Sequence, residues 1–177
     1  MAILPIITQE NPHIRIKATR VPRVDDSIRH LMDDMVETMV DAPGVGLAAV
    51  QVDVPLRVIV MKVDNQLFQL ANPELVRSEG EDIDYEGCLS VPGLVGEVAR
   101  AERVVARGLN RHGKMIRVKG SGLLARAIQH EIDHLDGILF IDKLTDIATL
   151  RKVEPNESED SDAGSAPVAA EDHAVAI

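Results

Sequence analysis

The chain has 177 residues, 45% of them hydrophobic, a formal net charge of −10 and one cysteine, which is enough for one domain with an apolar core and excludes a disulfide-stapled scaffold. No run approaches the roughly 18 apolar residues of a membrane helix, and neither a signal peptide nor a presequence is visible, so the cytoplasm is the expected compartment. The acidic balance and an aromatic content of 2% speak against direct nucleic-acid binding or a base-stacking surface and make the core aliphatic.

Residues 2–24 are rich in proline and basic side chains and read as an extended lead-in. Asp25, Asp26 and Ser27 then offer capping oxygens for a helix. Ile28, Leu31, Met32, Met35, Val36, Met39 and Val40 repeat at i, i+3, i+4 and i+7, which predicts an amphipathic helix ending near Pro43-Gly44. A β-rich middle follows, with strands expected at 57–63, 66–71, 74–79, 83–89, 98–109 and 115–119. Asn110-Arg111-His112-Gly113 is a hairpin signal between the last two. Ser121-Gly122 opens a second helix running to about Asp136, with Gly137 where a terminating glycine belongs. From residue 151 the chain holds seven acids and two bases with little apolar content, which predicts an unstructured acidic tail. The order helix, strands, helix gives an α+β fold. The expected division is a single catalytic domain over 1–150 and a tail over 151–177.

The strongest chemical signal is His130-Glu131-Ile132-Asp133-His134. Helical residues four apart differ by only about 40° in azimuth, so both imidazoles can reach one metal ion. Glu131 lies about 100° round from His130, beside the metal face, where a carboxylate can hold a water. A buried histidine pair hydrogen-bonded to backbone is the plainer alternative. A third ligand is wanted. Position 140 is phenylalanine, and Glu154 and Glu157 lie in the tail, which leaves Cys88, a soft ligand for zinc or iron(II). On its own Cys88 would read as a core thiol. Three protein ligands leave a coordination position open, unlike most structural zinc sites, and with a neighbouring carboxylate this points to hydrolysis by metal-activated water.

The segment Gly44-Val45-Gly46-Leu47-Ala48-Ala49-Val50-Gln51 combines small residues with one neutral amide. It could form a wall for a substrate backbone, with Gln51 polarising a carbonyl. A tightly packed helix-to-strand turn is the alternative. The lysine and hydroxyl of a phosphate loop are missing.

Together, Gly44–Gln51, Glu86-Gly87-Cys88-Leu89-Ser90 and Gln129–His134 resemble the peptide deformylases. That family is marked by G-φ-G-φ-A-A-x-Q, E-G-C-φ-S and Q-H-E-x-D-H segments in this order, and the resemblance extends to about Leu150. It implies antiparallel β-sheets packed around a central metal-binding helix. It also implies one divalent ion, iron(II) foremost with zinc, nickel or cobalt as replacements, on Cys88, His130 and His134. Glu131 would be the general acid/base, and the Gln51 amide and Leu89 N–H would hold the oxyanion. Val45 and Gly46 would line the cleft. The substrate implied is the N-formyl-methionyl end of nascent polypeptides.

A methionine side chain needs an apolar pocket near the metal. Leu89, Val45, Ala127 and the stem of Arg126 are the candidates, since Ala127 lies one turn before His130 and Glu131. Glu86 and Arg100 are expected to pair behind the metal loop. Val95 stands where many relatives carry a basic residue, and the acidic tail disfavours docking to ribosomal RNA. An endopeptidase acting on internal bonds and a non-catalytic metal-binding module are the competing readings.

Overall fold

The computed structural model describes residues 2–153 and 175–177. The first helix, α1 (Asp26–Asp41), starts where the Asp25 carboxylate accepts from the Ile28 N–H at 3.2 Å, satisfying a donor that the first turn leaves orphaned. Its apolar stripe Ile28, Met32, Met35 and Met39 is buried. Among the described residues, nine strands follow in two sheets. The first comprises β1 (Gly46–Ala48), β2 (Val58–Val63), β3 (Gln66–Glu79), β6 (Arg103–Leu109) and β7 (Met115–Ser121). They lie in the order β1-β2-β3-β6-β7, every neighbouring pair antiparallel. The second comprises β4 (Asp82–Cys88), β5 (Val91–Arg100), β8 (Arg151–Lys152) and β9 (Val175–Ala176), in the order β8-β5-β4-β9.

Strand β2 explains why two helices are needed. Its Val58-Ile59-Val60-Met61 run is apolar at every position, and successive strand residues point to opposite faces. Val58 and Val60 pack with α1, whereas Ile59 and Met61 pack with the second helix, α2 (Gly122–Leu135). The sheet is thus covered on both faces. Ala125, Ile128, Ile132 and Leu135 of α2 meet Leu70, Val104, Ala106 and Val118 of the sheet. The opposite flank of α2 is polar and engages β4 and β5 through charged groups. A third, smaller core joins Cys88, Val91 and Val98 to Ile14, Leu139 and Phe140. Gly137 ends α2 with φ +76°; a Cβ there would lie 2.3 Å from the Arg15 carbonyl oxygen, so only glycine fits.

The α+β class and both helices agree with the sequence reading; the strand map differs in places. The runs 66–71 and 74–79 are one strand, β3, bent by register shifts next to Asn72 (φ +53°) and Pro73. The run 98–109 divides at Ala101-Glu102, and β5 begins at Val91, taking in Pro92-Gly93, which lie between the expected strands. Proline is tolerated near the start of a strand, where it interrupts little of the ladder. β4 ends at Cys88, so Leu89 belongs to the turn before β5. One pairing is parallel, β4 with β9. Of the expected tail, 154–174 lie outside the described residues. At its two ends Arg151–Lys152 pair with β5, and residues 175–176 pair with β4. Among the described residues no helix is long and apolar enough to cross a membrane.

Candidate metal centre and active site

Helix α2 brings His130 and His134 to one face, and their Nε2 atoms stand 3.2 Å apart. Cys88 Sγ lies 3.2 Å from His134 Nε2. The three ligand atoms lie within 4.8 Å of one another, and all three side chains are buried. The edges of a tetrahedron with metal–ligand bonds of about 2.0–2.3 Å are about 3.3–3.6 Å long, so the set fits one divalent ion.

Cys88 reaches this point because β4 and β5 lose register there. Gly87 pairs with Val95 but Cys88 with Val91, an irregularity that re-aims the side chain. Burial pushes the Cys88 thiol up to about 12, against the backbone N–H groups of Ser90 and Val91, which favour the thiolate. Burial holds the His134 imidazole well below its ordinary value, and neighbouring His130 adds to the effect. Both conditions suit a cation, which takes a neutral imidazole and stabilises a thiolate.

Behind the ligands is a buried charge cluster centred on Glu86. Its Oε2 meets His130 Nδ1 at 2.9 Å, which leaves Nε2 free to face the metal position. Arg100 donates from Nε to Oε1 at 2.8 Å and from Nη2 to Oε2 at 2.9 Å, and Arg126 Nη1 adds a third donor at 2.9 Å. Burial alone would raise the Glu86 carboxyl, but Arg100 and His130 outweigh it and hold it far below the carboxylate range. Arg100 also pairs with Asp133.

Glu131 is different. It is fully buried, and among the described residues neither carboxylate oxygen has a hydrogen-bond partner; nor does His134 Nδ1. Desolvation, with the nearby Glu86 charge, raises its pKa well above the usual value. Such an uncompensated buried acid is costly, and a strongly perturbed group next to converging ligand atoms is a candidate functional residue. Gly46 makes the room: a Cβ there would lie 2.3 Å from Glu131 Oε1.

Of the other predicted residues, Gln51 is fully buried; its Oε1 accepts from the Ala48 N–H at 2.7 Å, and its Nε2 lies 3.2 Å from Ser90 Oγ and 3.8 Å from Cys88 Sγ. Leu89 covers Gly44, where a Cβ would meet Leu89 Cδ1 at 2.8 Å. Val45 packs against the same apolar cluster as Ala127. The Arg126 guanidinium is committed to Glu86, Asp82 and the Val98 carbonyl. The expected Glu86–Arg100 pair is present. The roles of Arg126, Asp133 and Ser90 in this cluster were missed. Arg126, His130 and Asp133 stand at i, i+4 and i+7 on one helix face, a spacing that carried the signal.

Fold and site together define a metal-dependent hydrolase. A sequence profile of the polypeptide deformylase family matches residues 3–149. A peptide deformylase of Dehalococcoides mccartyi strain CBDB1 is 48% identical over 159 residues, covering 89% of this chain and 95% of the relative. The crystal structure of a peptide deformylase from Legionella pneumophila superposes with a TM-score of 0.79 at 45% identity, covering 81% of this chain and 87% of that one. A peptide deformylase from Synechococcus elongatus in complex with actinonin gives a TM-score of 0.80 at 37% identity, covering 82% and 81%. The chain belongs to the peptide deformylase family.

Proposed function

We propose that the chain removes the formyl group from N-formyl-methionine at the start of nascent polypeptides, releasing formate and a free α-amine, and that residues 1–150 are its catalytic domain. The observation that carries this reading is the unpartnered Glu131 carboxylate beside three converging ligand atoms. A divalent ion held by Cys88 Sγ and the two Nε2 atoms would supply Lewis acidity toward the formyl oxygen and make water a nucleophile at neutral pH. Iron(II) suits one thiolate with two imidazoles; zinc, nickel or cobalt would serve in its place.

Glu131 takes a proton from the attacking water at a carboxylate oxygen and then delivers it to the departing amine. One group fills both roles because attack leaves it protonated. Gln51 Nε2 and the Leu89 N–H donate to the formyl oxygen as charge develops there. Glu86 fixes the orientation of His130, and Arg100 and Arg126 keep Glu86 ionised. Val45, Gly46, Leu89 and Ala127 form the wall that receives the methionine side chain. A nascent-chain substrate places the enzyme in the cytoplasm, and the acidic 151–177 segment disfavours ribosome docking through charge.

The test is formate release from formyl-Met-Ala-Ala by protein purified without oxygen, beside an unformylated peptide of equal length. Formate release with no internal cleavage is expected. Internal cleavage without formate would overturn the reading in favour of an endopeptidase.

A further inference from the structure

Residues 175–177 lie along β4 immediately before the candidate metal ligand Cys88. Glu86 and Gly87 of β4 pair with Val175 and Ala176, and the Ile177 N–H donates to the Gly87 carbonyl at 3.2 Å. Gly87 immediately precedes Cys88. Ile177 is 1% exposed and belongs to the apolar cluster that holds Ala48, Ala127 and Ile128, with Val45 packed against it. Ala127 is one helical turn before Glu131, and Gly46, next to Val45, abuts the Glu131 carboxylate. The edge of β4 next to the metal ligand and the apolar wall beside Glu131 therefore have the same occupant.

The connection is feasible within one chain. β8 and β9 sit on opposite edges of a four-stranded sheet, so three strand spacings, about 14–15 Å, separate them. The 22 residues between Lys152 and Val175 can reach about 70 Å when extended.

We propose that residues 175–177 are an intramolecular occupant of the substrate cleft, so that a formyl-peptide binds only after this strand leaves β4. This rests on the proposed function, because the cleft is a substrate cleft only if the enzyme acts on peptides. The backbone of β4 supplies the same donors and acceptors to either strand, and the Ile177 side chain takes the place of the substrate's apolar residue. Tethering makes the competition independent of protein concentration. Apparent affinity for substrate falls by the fraction of molecules whose cleft is free.

Two measurements on the metal-loaded full chain test this. In the first, Ile177→Asp puts a charge into the apolar wall; with a cleft free in about a tenth to a third of molecules, KM for formyl-Met-Ala-Ala drops about three- to tenfold and kcat stays unchanged. Equal KM values in parent and variant would overturn the proposal. In the second, hydrogen exchange follows the Ile177 amide. Slow exchange that becomes fast on saturation with acetyl-Met-Ala-Ala is expected, unchanged across a hundredfold range of protein concentration. Fast exchange without peptide, or protection indifferent to peptide, would overturn it, and protection that grows with concentration would assign the cleft to a second copy's strand instead. The exchange readout needs no turnover, so loss of formate release with peptide-displaced Ile177 would count against the deformylase reading alone.

Discussion

The five-stranded sheet is covered by two helices that are buried for opposite reasons. On one face, α1 contributes Ile28, Met32, Met35 and Met39 to an all-aliphatic layer with Leu47, Val58, Val60 and Ala71. On the other, α2 spends one flank on apolar contacts and turns Arg126, His130, Glu131, Asp133 and His134 to its polar side. The α1 layer needs only volume and apolarity, which several side chains can supply. The α2 layer needs each charge matched to a partner, and among the described residues of this layer the match fails only where chemistry is proposed, at Glu131 and His134 Nδ1. Burial alone therefore does not mark the site, and neither does a lone unpartnered atom, since Glu37 Oε2 on α1 is also buried without a partner among the described residues; the site is marked where such groups stand with converging ligand atoms.

The difference can be pressed from the polar side first. Glu86→Gln leaves Arg100 and Arg126 without the carboxylate that balances them, and loss of one partner in such a buried pair costs about 3–5 kcal/mol. Chemical denaturation should show a loss of that size, with weaker metal retention as His130 loses its anchor. The Glu86 contribution also has a sign in pH. Its folded pKa is depressed, so its stabilisation is complete above the unfolded glutamate value of about 4.3 and is lost as pH falls below it. The variant should unfold with a shallower dependence on acid. Equal acid slopes would mean that Glu86 does not carry this coupling.

On the α1 side, Met35→Ala removes a fully buried side chain and should cost about 2–5 kcal/mol, through lost transfer energy and the cavity left behind. Here metal content should not change, since Cys88, His130 and His134 lie outside the cluster that holds Met35. A loss of metal would mean that the two layers are coupled through β2. The gentlest probe is Met32→Leu, which conserves volume and should cost less than about 1.5 kcal/mol in the same denaturation measurement.

The legibility of the two layers in sequence also differs. α1 is written in its spacing and cap, and α2 in its apolar stripe and terminal glycine, because these signals are local. The metal ligands were legible for the same reason: two sit one helical turn apart, and the third stands out as the only cysteine. What local signals did not carry was pairing between distant segments. Pro92-Gly93 lie between the expected strands until β4 is alongside, and residues 175–176 pair, among the described residues, with Glu86 and Gly87. Helix position gives the face on which the Arg126 stem lies but not the destination of its long side chain. Its guanidinium reaches Glu86, 40 positions earlier in the chain.

The most direct measurement compares the parent protein with Glu131→Gln, both purified without oxygen, for metal per chain and for formate released from formyl-Met-Ala-Ala. Equal metal content with a rate about 10²–10⁴-fold lower in the variant is the expected result, the size typical of a lost general acid/base. Equal rates at equal metal content would contradict it, because the unpartnered carboxylate would then have no part in the chemistry.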